Sequence, residues 1–392
     1  MAAEGESEGS AASSVGSVVP FSDLCRLCDR LTKARKADDR RRLLGRFVAE
    51  WREAHRKMHG ESGKLDPNDE SRDSFYPALR LLLPSFDRER GAYGFKENML
   101  AKRLTSLLGL GKDSPDANRL LNYRAPESKS ESGDFAATAA SVLRLRLARQ
   151  CTLSIAELNE ALDRLALANA NKLTSAVEHE LQGLCRKVTE VEMKWLIRIL
   201  LKQMKMGMAE TTVLSTFHPE AAQLFDVCSS LRKVALQLHD PHAKLDEIQV
   251  QLFAPFRPML ADRAPLDQIP TIMQGRPFYL EVKYDGERVQ LHKRADQYKY
   301  FSRNGNDFTA SYGACPTAAG GSLTRRLHAL FADDVDSCIL DGEMVGWNPH
   351  ANCIVHDLWR VEHVVCVVHR HVFSSDTAVR VHWSGYQADK GA

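Results

Sequence analysis

No run of apolar residues in this chain approaches the ~20 needed for a helix to cross a bilayer, so the sequence carries no sign of a membrane protein. The opening MAAEGESEGSAASS lacks the charged and apolar regions of a secretory signal. Zinc-spaced cysteine pairs are missing as well. Nine cysteines are scattered, Cys25 and Cys28 form a single C-x-x-C, and no second pair stands at a matching distance. They read as apolar helix positions in a protein of a reducing compartment. Strong net charge is also lacking, at +2. That value leaves nucleic acid open as a partner, because a basic face can hide inside a balanced total. No repeat of fixed period is found. What is present is ordinary for a soluble globular protein: 392 residues, 44% hydrophobic and 27% charged, with room for two or three domains.

Residues 1–17 are Ala, Ser, Gly and Glu and read as disordered. From Val18 to 240 the pattern is helical. Phe21, Leu24, Cys25, Cys28 and Leu31 share one helix face, with Ser22 as N-cap. Leu43, Leu44, Phe47, Val48 and Trp51 mark a second helix, and residues 58–72 a loop. Tyr76 to Leu83 is a short apolar helix stopped at Pro84, and 111–133 reads as loop around Pro115 and Pro126. Ser154-Ile-Ala-Glu157 is a capping-box pattern. A helix through Trp195, Leu196, Ile199 and Leu200 is expected to run to Met206 and end at Gly207, and another to span 219–238. Met193, Met204, Met206 and Met208 read as core filler. Lys194, Arg198, Lys202 and Lys205 follow i, i+4, i+8, i+11. On a continuous helix they form one basic stripe, suited either to solvent or to phosphate contacts along a DNA backbone.

Residues 241–277 read as a linker. From 278 the period changes from helical to alternating strand. Phe278 to Lys293 reads FYLEVKYDGERVQLHK, with Glu281 and Lys283 on one face of a strand, Asp285-Gly286 as a turn, and Val289, Leu291 and Lys293 opening a second strand. A lysine attacks phosphorus only when neutral. At the reference pKa of ~10.4, roughly one in a few thousand is neutral at pH 7, and lowering the pKa to near 7 requires about 4 to 5 kcal/mol. A nearby arginine, a metal and partial desolvation act in that direction. Lys-x-Asp-Gly alone fits a surface hairpin equally well. Two further segments narrow the reading. Tyr298 to Gly305 is a strand ending on Arg303 and an Asn-Gly turn, and Ser337 to Trp347 is an apolar strand with Asp341 and Glu343 on one face. Lys283, Arg288, Arg303 and Glu343 together suit a nucleotide phosphate, a ribose and a divalent metal.

Glu281-Val-Lys283-Tyr-Asp285-Gly286-Glu-Arg288 resembles the adenylation signature E-x-K-x-D-G-x-R of ATP-dependent DNA ligases. Ser302-Arg303-Asn304-Gly305 and Leu340-Asp341-Gly342-Glu343 resemble the family's next two motifs, and Phe256 to Ala261 the segment leading into the adenylation domain. FYPALRLLLP (75–84), RERGAYGFKENMLAK (88–102), LLNYRAP (120–126) and KWLIRILLKQMKMGM (194–208) resemble its helical DNA-binding domain. The resemblance implies an all-α DNA-binding domain at 18–240, then an incomplete α+β adenylation domain with an antiparallel sheet at 278–352. It implies Lys283 as nucleophile toward ATP, with Glu281, Val282 and Tyr284 around the adenosine. Arg288 and Arg303 would contact ribose or phosphates, and Glu343 ribose or Mg²⁺. The closest branch of the family implies a nuclear protein acting on broken or nicked duplex DNA in double-strand-break end joining and recombination.

After Asn348-Pro349 the family pattern fades, and 353–392 reads as a divergent tail. His363, Cys366, His369 and His371 have metal-ligand spacing, and five of the 14 histidines lie between His356 and His382. A strand through Val361 to Val368, however, sets such ligands on different faces. The family's end-joining scaffold partner binds a BRCT region, so the resemblance implies no direct binding to this chain by that route. Two other functions remain open at this point. One is a non-catalytic DNA-binding form, the other a different Lys-x-Asp-Gly nucleotidyltransferase such as an RNA ligase or capping enzyme. The long helical domain argues against the latter.

Overall fold

The computed structural model describes residues 14–60, 72–111, 113–124, 133–245, 250–257, 263–278, 285–348, 353–355 and 363–374, with side chains through residue 346. The chain divides into two units, Met1–Phe225 with Ser230–Glu247, and Asp226–Ser229 with Ile248–Ala392.

In chain order the helices of the first part are α1 (Val15–Val18), α2 (Phe21–Lys33), α3 (Ala37–His59), α4 (Tyr76–Leu82), α5 (Glu97–Leu107), α6 (Pro115–Leu121) and α7 (Phe135–Leu143). They continue as α8 (Ile155–Ala170), α9 (Thr174–Cys185), α10 (Glu190–Leu200), α11 (Glu210–Phe217), α12 (Ala221–Cys228) and α13 (Leu231–Gln237). α2 packs on α3, α7 on α10 and α8 on α9. Trp51 of α3 meets Phe75 edge-on at 5.4 Å, and Phe75 stacks on Phe217 at 5.3 Å. Ser154 and Glu157 form the expected capping box at the start of α8. Cys25 and Cys28 are buried apolar positions of α2, and Met193, Met204 and Met206 lie in the core.

Several expectations are corrected. Order begins before Val18: Ser14 caps α1, and Val15 is fully buried with its N–H donating to Asp73 at 2.7 Å. Pro20, not Ser22, precedes α2. The 111–133 stretch contains α6, because Pro115 occupies the first turn, where a missing N–H costs nothing, and Ser114 accepts from the Ala117 N–H at 3.2 Å. The 219–238 segment is two helices, broken at Ser229 (φ 48°) and restarted by the Ser230 cap. Of the expected loop at 58–72, residues 61–71 lie outside the described residues.

The second unit is built on an antiparallel sheet. β1 (Glu287–Arg294), β2 (Gln297–Ser302), β3 (Ser337–Asn348), β4 (Cys353–Val355) and β5 (His363–Ser374) run in the order β2-β1-β3-β4, with β5 on β3. β3 is central, carrying β1 along Ser337–Met344 and β5 along Cys338–Trp347. One sheet face carries Val289, Leu291, Tyr298, Tyr300, Leu340 and Met344, packed with Leu327 and Val335. The other face is covered too. Gln290 accepts from the Phe256 N–H at 3.2 Å and donates to its carbonyl at 2.6 Å, and His292 Nδ1 accepts from the Phe253 N–H at 3.0 Å. Residues 250–257 therefore belong to this unit, although the sequence reads them as linker. β4 and β5 likewise extend the sheet past 352, where the pattern suggests a tail.

Candidate active site and nucleic-acid interface

Antiparallel pairing sets residues opposite each other on the same sheet face. Arg288 pairs with Glu343, and Gln290 with Asp341. Arg288, Gln290 and His292 thus share a face with Glu343 and Asp341. The 253–256 backbone covers Gln290 and His292, leaving the Arg288–Glu343 end of that face for chemistry. Arg303 follows Ser302, the partner of Val289, and so comes to the same end of the sheet. It is exposed, at a turn closed by Gly305 N–H donating to the Ser302 carbonyl at 2.8 Å.

Arg288 Nε donates to both Asp341 oxygens, at 2.8 and 3.1 Å, and its Nη2 also contacts Asp341 Oδ2. The hydrogen bond and charge of Asp341 hold the guanidinium above its ordinary pKa against a smaller opposing effect of burial. The Asp341 residue is 5% exposed. Its pairing fixes Arg288 as a preorganised cation aimed along the sheet end. Sequence reasoning placed Asp341 on the right face but gave it no role. Its signal was there, in the two-residue spacing from Glu343 that puts both on one strand face.

Glu343 Oε1 accepts from the Gly286 N–H at 3.2 Å. Gly286 also lies so close to β3 that a Cβ would stand 2.1 Å from the Met344 carbonyl oxygen and 2.9 Å from Val345 Cγ1. Only glycine fits there. The Asp285-Gly286 turn is thereby clamped to the strand carrying Glu343. Lys283, Glu281, Val282 and Tyr284 lie outside the described residues. Described residues thus bring together Arg288, Glu343 and Asp341, with Arg303 at the same end. The donor set suits Mg²⁺, which takes one or two carboxylates plus substrate phosphate oxygens. Glu343 is the carboxylate here without a lysine or arginine partner within bonding distance among the described residues.

The basic stripe of the helical unit does not form as expected. α10 ends at Leu200, and Lys202 and Lys205 adopt left-handed φ values of 54° and 47°. Lys194 pairs with Asp29, which also accepts from Trp195 Nε1 at 2.9 Å. Arg198 is buried, bonded to Asp134 at 2.7 Å and stacked 4.6 Å over Trp195. Burial would raise the Asp134 carboxyl, but the Arg198 hydrogen bond and charge outweigh it and lower it. Partial burial also lowers the Lys202 pKa. Of the four, Lys205 alone is exposed. Sequence spacing missed this because it assumes that the helix continues. A different basic surface appears where α5 begins and α6 ends. Lys96, Lys102, Asn122, Tyr123 and Arg124 line a cleft of about 680 Å³. Arg124 there pairs with Glu97 at 2.8 Å.

Two family models match this architecture: the DNA ligase N terminus over residues 20–218, and the ATP dependent DNA ligase domain over 258–372. The chain belongs to the ATP-dependent DNA ligase family, with an N-terminal helical domain followed by adenylation-domain sequence. Its similar relatives include DNA ligase 4 of Gallus gallus, 45% identical over 86% of this chain, and DNA ligase 4 of Homo sapiens, 43% identical over 86%. DNA ligase 4 of Coprinopsis cinerea is 41% identical over 84%. The chain spans about a third of those relatives' length: 36% of the Gallus and Homo proteins and 31% of the Coprinopsis protein. The second match starts at 258 and ends at 372, beyond both limits, 278 and 352, read from the sequence.

Proposed function

We propose that this chain is the DNA-gripping and nucleotide-charging portion of an ATP-dependent DNA ligase of double-strand-break end joining and recombination, acting in the nucleus on broken or nicked duplex DNA. The observation that carries the reading is the cluster at the sheet end. Gly286 is clamped to β3, Glu343 accepts its N–H, and Asp341 holds Arg288, all directly downstream of Lys283. No helix among the described residues is long and apolar enough to cross a membrane.

In the proposed first step, neutral Lys283 Nζ attacks the α-phosphorus of ATP. A nitrogen–phosphorus bond forms, the bond to the bridging oxygen breaks, and pyrophosphate leaves. The lysine loses its proton to solvent. Arg288 and Arg303 offset phosphate charge or bond the ribose, and Glu281, Val282 and Tyr284 line the adenosine. Glu343 would hold Mg²⁺, which supplies charge neutralisation at the phosphates. AMP then passes to a 5′-phosphate, and the adjacent 3′-hydroxyl displaces it to seal the strand. The cleft between α5 and α6, with its cations beside an aromatic, suits a DNA backbone.

The test is incubation with ATP labelled at the α-phosphate and Mg²⁺, then denaturing electrophoresis. A labelled band that disappears in Lys283→Ala is expected. Absence of the band while duplex DNA is still bound would leave a DNA-binding protein without the charging step and overturn the catalytic part.

A further inference from the structure

The helical unit contains a histidine–carboxylate cluster that the ligase reading does not use. His55 and His59 stand one turn apart on α3, so their rings lie on the same helix face with centroids 4.6 Å apart. The chain returns after α3 to place Asp73 against them. His59 Nε2 lies 3.0 Å from Asp73 Oδ2, and His55 Nε2 3.0 Å from the Asp73 carbonyl oxygen. One ligand atom from each of the three residues lies within 4.8 Å of the others. On the buried side, His239 packs on His55 at 4.3 Å, and its Nδ1 is buried without a hydrogen-bond partner.

From this placement we infer that His55, His59 and Asp73 form a site for a divalent transition metal, zinc by preference. Two imidazoles and a carboxylate are borderline donors that suit zinc over magnesium or calcium, which favour all-oxygen shells. Zinc–ligand bonds of about 2.0–2.2 Å place tetrahedral donors roughly 3.4 Å apart. The cluster, whose donors lie within 4.8 Å of one another, must therefore contract by up to about 1.4 Å at its widest. His59, whose side chain is 34% exposed, opens the cluster to solvent. Water would complete the fourth position. Asp73 also accepts the Val15 N–H, so an ion here would tie α1, α3 and the approach to α4 together. The site acts as a clip on the start of the helical unit and is independent of lysine adenylation.

The test uses the full chain, stripped with chelator and titrated with Zn²⁺ by calorimetry and with Co²⁺ by visible absorption. His59→Gln is the informative variant, because His59 is the most exposed of the three residues, and circular dichroism checks the fold. The expected result is one equivalent bound with Kd below about 100 μM. Co²⁺ d–d bands should appear without the sulfur charge-transfer bands that cysteine ligation would give. Zn²⁺ should raise the Tm by about 5 °C at saturating metal. All three responses should be lost in folded His59→Gln. No saturable binding, sulfur charge-transfer bands, or binding that survives His59→Gln overturns the proposal.

Discussion

Replacing Arg90 by methionine should destabilise the helical unit more than any surface charge change. Arg90 is 2% exposed at its side chain and lies in a cluster of two cations and two anions with Arg80, Asp87 and Asp163. Its Nε donates to Asp163 at 2.7 Å, and its Nη2 donates to Asn159 Oδ1 at 2.7 Å and to the Asn159 carbonyl at 3.2 Å. Arg80 donates to Asp87 at 2.8 Å and to Asp163 at 2.9 Å. Methionine fills much of the same volume but leaves two carboxylates facing a single guanidinium, with Asn159 Oδ1 losing its donor. Removing one member of a buried ion pair costs about 3–5 kcal/mol. Asp163 is 47% exposed, and solvent screens its share, so the lower end, about 3 kcal/mol, is the expected loss. For a unit of this size that corresponds to a Tm drop of roughly 6–12 °C. Urea unfolding followed by far-ultraviolet circular dichroism measures it. Asp163→Asn in the Arg90→Met background should cost less than it does alone, because the two groups are coupled. A loss below about 1 kcal/mol, or strict additivity with Asp163→Asn, would refute the claim that this network holds the unit together.

Gly286→Ala should disrupt charging while sparing the helical unit. Its Cβ would meet the Met344 carbonyl oxygen at 2.1 Å, so the turn after Lys283 must move by about 1 Å, a displacement that can cost on the order of 100-fold in rate. Lysyl-AMP formation at an unchanged rate would sink that argument. Lowering the pH should weaken the sheet unit. Burial, with a smaller contribution from Lys299, lowers the His292 pKa from 6.5 to about 4. Its contribution is therefore fully present above pH 6.5 and is lost as pH falls toward 4, because the unfolded chain takes up the proton first. That amounts to roughly 3 kcal/mol over the window. Near-ultraviolet circular dichroism during urea unfolding at stepped pH should show the slope, and His292→Leu, though less stable at neutral pH, should flatten it. An unchanged slope in that variant would show that other groups set the pH response.

Much of this molecule was legible without coordinates because its signals are local. The Ser154–Glu157 capping box, the Tyr76–Leu82 helix ahead of Pro84 and the strands through Leu291 and Tyr300 each follow from side-chain periodicity and caps, which nearby residues decide. The adenylation motif was likewise a matter of residue type and spacing. Tertiary structure decided where charge goes. Periodicity put Lys194 and Arg198 on a stripe, but Asp29 and Asp134, far off in sequence, pair with them, and left-handed residues end the helix before Lys205. Alternation gave β1 one apolar face, yet Phe253 and Phe256 bring backbone onto the other and bury Gln290 and His292. The roles of Asp341 and Gly286, and the meeting of His55 with Asp73, exist only through strand register and chain return. One-dimensional patterns encode which face a residue occupies, whereas the partner waiting at that face is set by contacts between segments whose separation in sequence carries no periodic signal.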